Sequence, residues 1–509
     1  MFEVIGQALL NLCSLNAILI VILGILIGII FGAIPGLTGT LGILLFLPFT
    51  RSMDVTNAVI FLSAIFCGGE FGGSVSAILL GTPGTNSAVC TMMEGYPLAK
   101  RGHARKALLM ALAASTTGGI LSALSLLFLA PTLAKYTLEF GAPEYFAISV
   151  FGLSIIASVS GKSLAKGLFA GALGVVLSLV GMDTVTGMFR FTFNNINLYN
   201  GLTLVALLTG LFALPNIIEK VAELAKMTAL KKGNQIKDKE EIILSKKDTL
   251  GFREVIRYKW VMLRSALIGI VIGIIPGIGT GVASFISYDM AKKTSKHQEE
   301  YGNGSLEGIA AVESSNNGVT AASLIPLLTL GLPGSPSAAV LIGAFTMQGL
   351  AVGPMLFKNQ GVVMYTIMIG IVLANIVMFI EGRFLSRWMA KITKIPNDIM
   401  IPILVVVCSA GAISINNSGF DLMIFIFAGA VGYFLTLLDV PLVPIVIGFV
   451  LGGTMDANLR KGLTMTGGDF GQFVTRPITL VILLVTGAVI LYGVLKGMIN
   501  KKKKDRDEG

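Results

Sequence analysis

Charge is scarce in this chain: Asp, Glu, Lys and Arg fill 13% of 509 positions, roughly half the share of an ordinary soluble domain. Histidine occurs twice, at His103 and His297, both in basic or polar stretches without a metal-like set of neighbours. The four cysteines, Cys13, Cys67, Cys90 and Cys408, stand singly in apolar surroundings, with neither metal spacing nor a disulfide framework. Nucleotide motifs are missing too. Gly161-Lys162-Ser163 resembles the end of a phosphate loop, but Ile156 stands where its first glycine belongs. Gly277-Ile278-Gly279-Thr280-Gly281 follows an apolar helix rather than a strand. No acid, base or nucleophile constellation emerges, so an enzyme is not expected, and energy for any transport comes from an ion gradient or a partner protein. The first sixteen residues hold one acid and no base, so they lack the charged n-region of a cleaved signal peptide, and the first apolar helix is expected to stay.

What the chain has instead is apolar sequence. Hydrophobic residues make up 54% of it and the mean hydropathy is +0.83. Apolar runs recur from end to end, several near the roughly 20 residues that cross a bilayer as a helix. They do not alternate as the strands of a membrane barrel would. The expected fold is an all-α polytopic membrane protein with about 12 to 14 transmembrane segments. The formal charge of +10 is concentrated: Lys220 to Arg264 holds 12 basic and 6 acidic residues, and Lys501 to Gly509 holds 5 and 3. Basic excess beside apolar spans marks the cytoplasmic side. It places the linker and the C-terminus in the cytoplasm and argues against nucleic acid as a partner.

The chain reads as two halves. Residues 1–219 form an N-terminal transmembrane repeat, 220–264 a charged cytoplasmic linker, 265–500 a C-terminal repeat with one extra helix, and 501–509 a basic tail. Gly28, Gly32, Pro35 and Gly36 recur as Gly269, Gly273, Pro276 and Gly277, an offset of 241. Pro83-Gly84 recurs as Pro333-Gly334, an offset of 250. Leu41 to Phe49 is too short to cross and reads as the return arm of a broken helix, and Val55 to Cys67 is another short run, leading into a glycine-rich stretch. Tyr288 to Asn317 reads as a polar stretch, and Met182 to Phe193 as an interfacial loop or short strand.

Paired Pro-Gly interruptions of apolar segments are the best pointer in a sequence to a transporter's binding site. Non-helical backbone at membrane depth must line a cavity or be buried in protein, and half-helix N-termini offer partial positive charge to an anion. The candidate substrate residues are Pro35, Gly36, Thr38, Thr82, Pro83, Gly84, Thr85, Asn86, Pro276, Gly277, Gly279, Pro333, Gly334, Ser335 and Ser337, with Thr40 as a further hydroxyl. The competing reading of each break is a packing kink. Glu94 reads equally as a proton or cation ligand and as a helix-end residue. Glu313, Asn316 and Asn317 read as Na⁺ ligands or as helix-capping groups. Lys162 and Lys166 read as carboxylate contacts or as side chains snorkelling to the surface.

Several stretches resemble the large membrane subunit of the tripartite tricarboxylate transporter family. They are GAIPGLTGT (32–40), GGSVSAILLGTPG (72–84), EGYPLAKRG (94–102), GMDTVTGMFRFTF (181–193), IPGIG (275–279), VESSNNG (312–318) and LIPLLTLGLPGSPSAAVLIGA (324–344). The resemblance implies a multi-pass protein of the bacterial inner membrane, working with a small membrane subunit and a periplasmic solute-binding protein. It implies carboxylate import, citrate-like tricarboxylates included, coupled to Na⁺ or H⁺ without any other cofactor. It puts Pro35-Gly36, Thr82-Pro83-Gly84, Pro276-Gly277 and Pro333-Gly334-Ser335 at the substrate. A stand-alone anion channel or exporter is the alternative, and homo-oligomerisation is left open.

Overall fold

The structure, a computed structural model, describes residues 2–85, 87–159, 163–183, 185–232, 248–393, 395, 397–414 and 416–507. The first half runs α1 (Phe2–Leu12), α2 (Leu15–Ala33), α3 (Gly39–Phe46), α4 (Val55–Leu80), α5 (Ala88–Leu98), α6 (Ala104–Thr137), α7 (Ala142–Val159) and α8 (Leu164–Ser178). A hairpin of β1 (Gly181–Met182) and β2 (Phe189–Arg190) then leads to α9 (Leu204–Lys232). The second half runs α10 (Phe252–Arg257), α11 (Lys259–Ile274), α12 (Gly279–Thr294), α13 (Leu306–Ala322), α14 (Leu324–Leu330), α15 (Pro336–Met347), α16 (Met355–Asn359) and α17 (Gly361–Leu385). It continues with α18 (Met389–Ile392), α19 (Asn397–Ser414), α20 (Gly419–Leu437), α21 (Val443–Met465), α22 (Phe470–Val474) and α23 (Pro477–Asp507). Among the described residues, six helical stretches are long and apolar enough to cross a membrane, and further shorter apolar helices accompany them. This is an all-α polytopic membrane protein.

The internal repeat is visible in backbone contacts. Helix α2, its break and α3 correspond to α11, its break and α12; α4, its break and α5 correspond to α13 with α14, their break and α15. Gly81 and Gly331 end the two long arms in the left-handed region, at φ of 63° and 76°, a conformation that costs glycine nothing. Three residues on, the Gly84 N–H donates to Gly73 O (3.3 Å) and the Gly334 N–H to Ser323 O (3.1 Å). A β-carbon on Gly84 would lie 2.7 Å from Gly32 O, and one on Gly334 would lie 2.7 Å from Gly273 O. Every partner repeats at the offset read from the sequence. Small residues at these crossings let backbones approach where lipid supplies no hydrophobic drive.

The halves also exchange helices. Helix α6 packs on α11 and α13, whereas α17 packs on α2 and α4. Likewise α5 lies against α12 and α13, and α15 against α3 and α4. The post-break arms α5 and α15 therefore touch the opposite half as well as their own.

Three expectations are corrected. Val55 to Cys67 is not a separate short run: α4 runs unbroken through Gly68-Gly69-Glu70-Phe71-Gly72-Gly73-Ser74, because those glycines meet the glycine face of α2. The polar stretch from Tyr288 includes most of α13, whose residues from Gly308 to Ala322 are all buried. The linker does not start at 220, since α9 continues to Lys232 and buries Lys220. The centre of that linker lies outside the described residues. Helix α1, which no apolar run announces, packs on α17 with Leu9 and Leu10 exposed.

The β1–β2 hairpin is pinned by a ring of charges. Asp183 pairs with Arg190 (2.9 Å) and Arg460 (2.8 Å), and Asp456 with the same two arginines (2.8 and 3.2 Å). The Thr186 hydroxyl, the Val185 N–H and Arg190 hold the Asp183 carboxyl well below the usual carboxylate range. A depressed folded-state value means that its contribution is complete above the ordinary carboxylate pKa and lost as pH falls through the lowered value. We expect limited proteolysis of the hairpin to stay slow through mildly acidic pH and to accelerate only in stronger acid. In Asp183→Asn it is fast at neutral pH.

Candidate functional site

The four breaks touch in series. Gly84 of the second packs on the carbonyl that ends α2 before the first, and Gly334 of the fourth on the equivalent carbonyl before the third. The first and fourth join across the halves: the Thr40 and Ser337 hydroxyls, each in the first turn of its arm, lie 2.6 Å apart. The N-termini of α3 and α15 thus meet, and the Gln348 amide at the end of α15 donates to Thr50 O beyond α3 at 2.8 Å. Each break is followed by a helix start, at Gly39, Ala88, Gly279 and Pro336. Aligned peptide dipoles make each start an electropositive point.

The hydroxyls beside the breaks divide by task. Thr38 caps α3, accepting from the Leu41 N–H at 3.2 Å. Ser335 caps α15, accepting from Ala338 N–H at 3.1 Å, and lies 3.2 Å from the Ser323 hydroxyl. Thr85 takes the equivalent place before α5 and shares a 2.9 Å bond with Ser87. Thr82 has a buried hydroxyl without a protein partner. Asn86 lies outside the described residues. Gly36 and Pro83 are exposed, whereas Pro276, Pro333, Gly334 and Ser335 are buried and Gly277 and Gly279 are half-buried. Exposure is mixed in both halves: Gly84 is buried in the first, and Ile275 and Pro336 are exposed in the second.

A cation stands beside the first break. The Lys220 ammonium donates to Pro35 O at 2.7 Å, next to Gly36. Its approach was not legible in the sequence, where Lys220 opens the charged linker. Lys166 instead donates to Leu438 O at 2.5 Å, and Lys162 lies outside the described residues.

The carboxylates occupy two distinct settings. Glu94 is fully buried and accepts from the Tyr288 hydroxyl (2.6 Å) and from the N–H groups of Gly302 (2.6 Å), Gly304 (2.9 Å) and Ser305 (2.7 Å). It sits at the N-terminus of α13, where a negative charge complements the helix dipole. Four donors and a dipole account for this carboxylate as an anchor of the 301–305 loop. Glu313, on α13, accepts from Ser74 (2.6 Å) on α4, Thr91 on α5 and Ser115 (2.9 Å) on α6. Asn316 and Asn317 follow it on the same buried helix. Glu70, which the sequence reading passed over, is the acid of α4 that faces them; it lies beside Asn316 and within the field of Glu313. A lone carboxylate between glycine pairs in an apolar span was the available signal.

The basic patch after α5 is met by the end of the linker. Lys106 donates to Glu254 (2.6 Å) through its ammonium and to Asp248 (3.0 Å) through its N–H, and His103 lies 3.2 Å from Asp248. The Lys106 bond holds the Glu254 carboxyl below its ordinary range.

A family profile described as "Tripartite tricarboxylate transporter TctA family" matches residues 18–447. An uncharacterized 52.8 kDa protein in the TAR-I ttuC' 3' region of Agrobacterium vitis is 35% identical over 481 residues, 94% of each chain. An uncharacterized protein in the TAR-II ttuC' 3' region of the same organism is 35% identical over 234 residues, 46% of this chain and 97% of its own length. No solved structure matches the chain.

Proposed function

Because this chain belongs to the tripartite tricarboxylate transporter TctA family, a family of transporters rather than enzymes, we propose that it imports a small di- or tricarboxylate across the bacterial inner membrane, driven by an ion gradient. It works as the large subunit beside a small membrane subunit and a periplasmic solute-binding protein, with the linker and C-terminus in the cytoplasm. The observation that carries this reading is the connected set of four helix breaks, one pair from each half, with the α3 and α15 N-termini joined by Thr40 and Ser337. The substrate's carboxylates lie against the helix starts and Lys220 supplies the compensating charge. The post-break arms touch helices of both halves, which suits alternating access in which these arms slide against the helices around them.

Reconstitution with the two partner subunits tests it. Labelled citrate-like tricarboxylate should accumulate only under an imposed Na⁺ or proton gradient and should saturate. Gradient-independent, non-saturating flux would instead establish the channel alternative. Lys220→Gln should raise the half-saturating substrate concentration by roughly tenfold, the loss expected for one charge-assisted hydrogen bond. Unchanged uptake kinetics in that variant would remove Lys220 from the site.

A further inference from the structure

We propose that Glu70 on α4 and Asn316, Asn317 and Thr320 on α13 form a site for one small monovalent cation, Na⁺, beside Glu313. This rests on the transporter reading above and gives it a coupling position apart from the helix breaks.

Glu313, Asn316, Asn317 and Thr320 fall at i, i+3, i+4 and i+7, one stripe of a helix that is apolar or small elsewhere beyond Glu307 in its first turn. Asn316 and Asn317 are fully buried, and Thr320 and Glu70 are more than nine-tenths buried. Yet Glu70 has only the Asn316 amide as a polar neighbour, and Asn316 Oδ1, Asn317 Oδ1 and Thr320 Oγ1 have no protein partner. Asn317 Nδ2 donates to Glu313 O at 3.3 Å, which leaves its Oδ1 to turn outward. Buried polar atoms are nearly always satisfied, and each exception calls for an occupant or a role.

The charges point the same way. Glu313 has hydroxyl donors from three helices, but hydroxyls solvate a carboxylate without neutralising it. Neither Glu313 nor Glu70 meets a lysine or arginine among the described residues. Two uncompensated carboxylates in a dry interior are costly, and a single positive charge between them removes most of the penalty. Carboxylate, amide and hydroxyl oxygens suit a hard cation. The donor set lacks the cluster of three acidic, histidine or cysteine ligands that would mark a divalent metal site, and none occurs among the described residues.

The position explains coupling. Thr91, which donates to Glu313, belongs to α5, the arm that follows the Thr82-Pro83-Gly84 break. A cation at Glu70 competes for the field of Glu313 and so sets how firmly that arm is held.

The test is ²²Na⁺ binding to the purified full-length chain in lipid nanodiscs, with choline replacing Na⁺ at constant ionic strength. Binding should saturate in the natural protein, fall below detection in Glu70→Gln, and weaken roughly tenfold or more in Asn316→Ala and Thr320→Ala. Thr320→Ala removes a single hydroxyl from a helix, so its loss of binding is not a failure to fold. Absence of saturable binding in the natural protein, or equal binding in all three variants, overturns the site. Gly84→Ala should keep ²²Na⁺ binding while losing carboxylate uptake. Saturable Na⁺ binding by a protein that moves no carboxylate in the full three-subunit system would sink the transport reading and leave the cation site standing.

Discussion

Gly84→Ala and Gly334→Ala each lower carboxylate uptake by roughly a hundredfold, the loss that a displacement near 1 Å at a positioned site can produce. The cause is the same in both halves. The added methyl lands 2.7 Å from Gly32 O in one variant and 2.7 Å from Gly273 O in the other, against backbone that has no rotamer to yield. The arm that follows must shift, and with it the helix start proposed to face the substrate. Overpacking of this kind costs about 1–3 kcal/mol, small enough for the protein to remain inserted. Uptake measured against membrane abundance separates the two effects. Leucine would be a poorer probe, since its branch cannot be housed beside the backbone of α2 or α11 at all. Full uptake in both alanine variants would mean that the breaks are packing kinks remote from the substrate.

Glu94→Ala destabilises the protein by about 3–5 kcal/mol, the range seen when a buried charged partner is removed and its donors are left unpaired. Three backbone N–H groups and the Tyr288 hydroxyl lose their acceptor together. A thermal melt in detergent should show the loss, and hydrogen exchange should rise over 301–306, the loop that leads into α13. Glu94→Gln, which keeps an acceptor but places an amide among donors, should fall between. A variant that melts normally yet fails to couple would turn the assignment around and make Glu94 an ion ligand.

Much of this was visible before any coordinates. The scarcity of charge, the apolar runs and the Pro-Gly interruptions are properties of neighbouring residues, so they announce helices, breaks and the duplicated halves directly. Reading failed where hydropathy misjudged burial. Helix α13 contains Glu313, Ser314, Ser315, Asn316 and Asn317 in succession, and its sequence is that of an exposed segment. It is buried because Ser74, Thr91 and Ser115 arrive from three other helices to meet it. In the same way the glycines of α4 lie inside one continuous helix because α2 presents glycines of its own.

The amino-acid order by itself determined that this is a helical membrane protein built from two related halves, each with two interrupted helices, because local hydrophobicity and backbone freedom suffice for that. Which polar groups meet was decided only by the tertiary structure. Thr40 finds Ser337 across 297 residues, Lys220 reaches Pro35 across 185, and Glu313 joins Ser74 across 239. A polar group can stay inside the bilayer only if partners are brought to it, and no window of sequence contains partners that lie half a chain away.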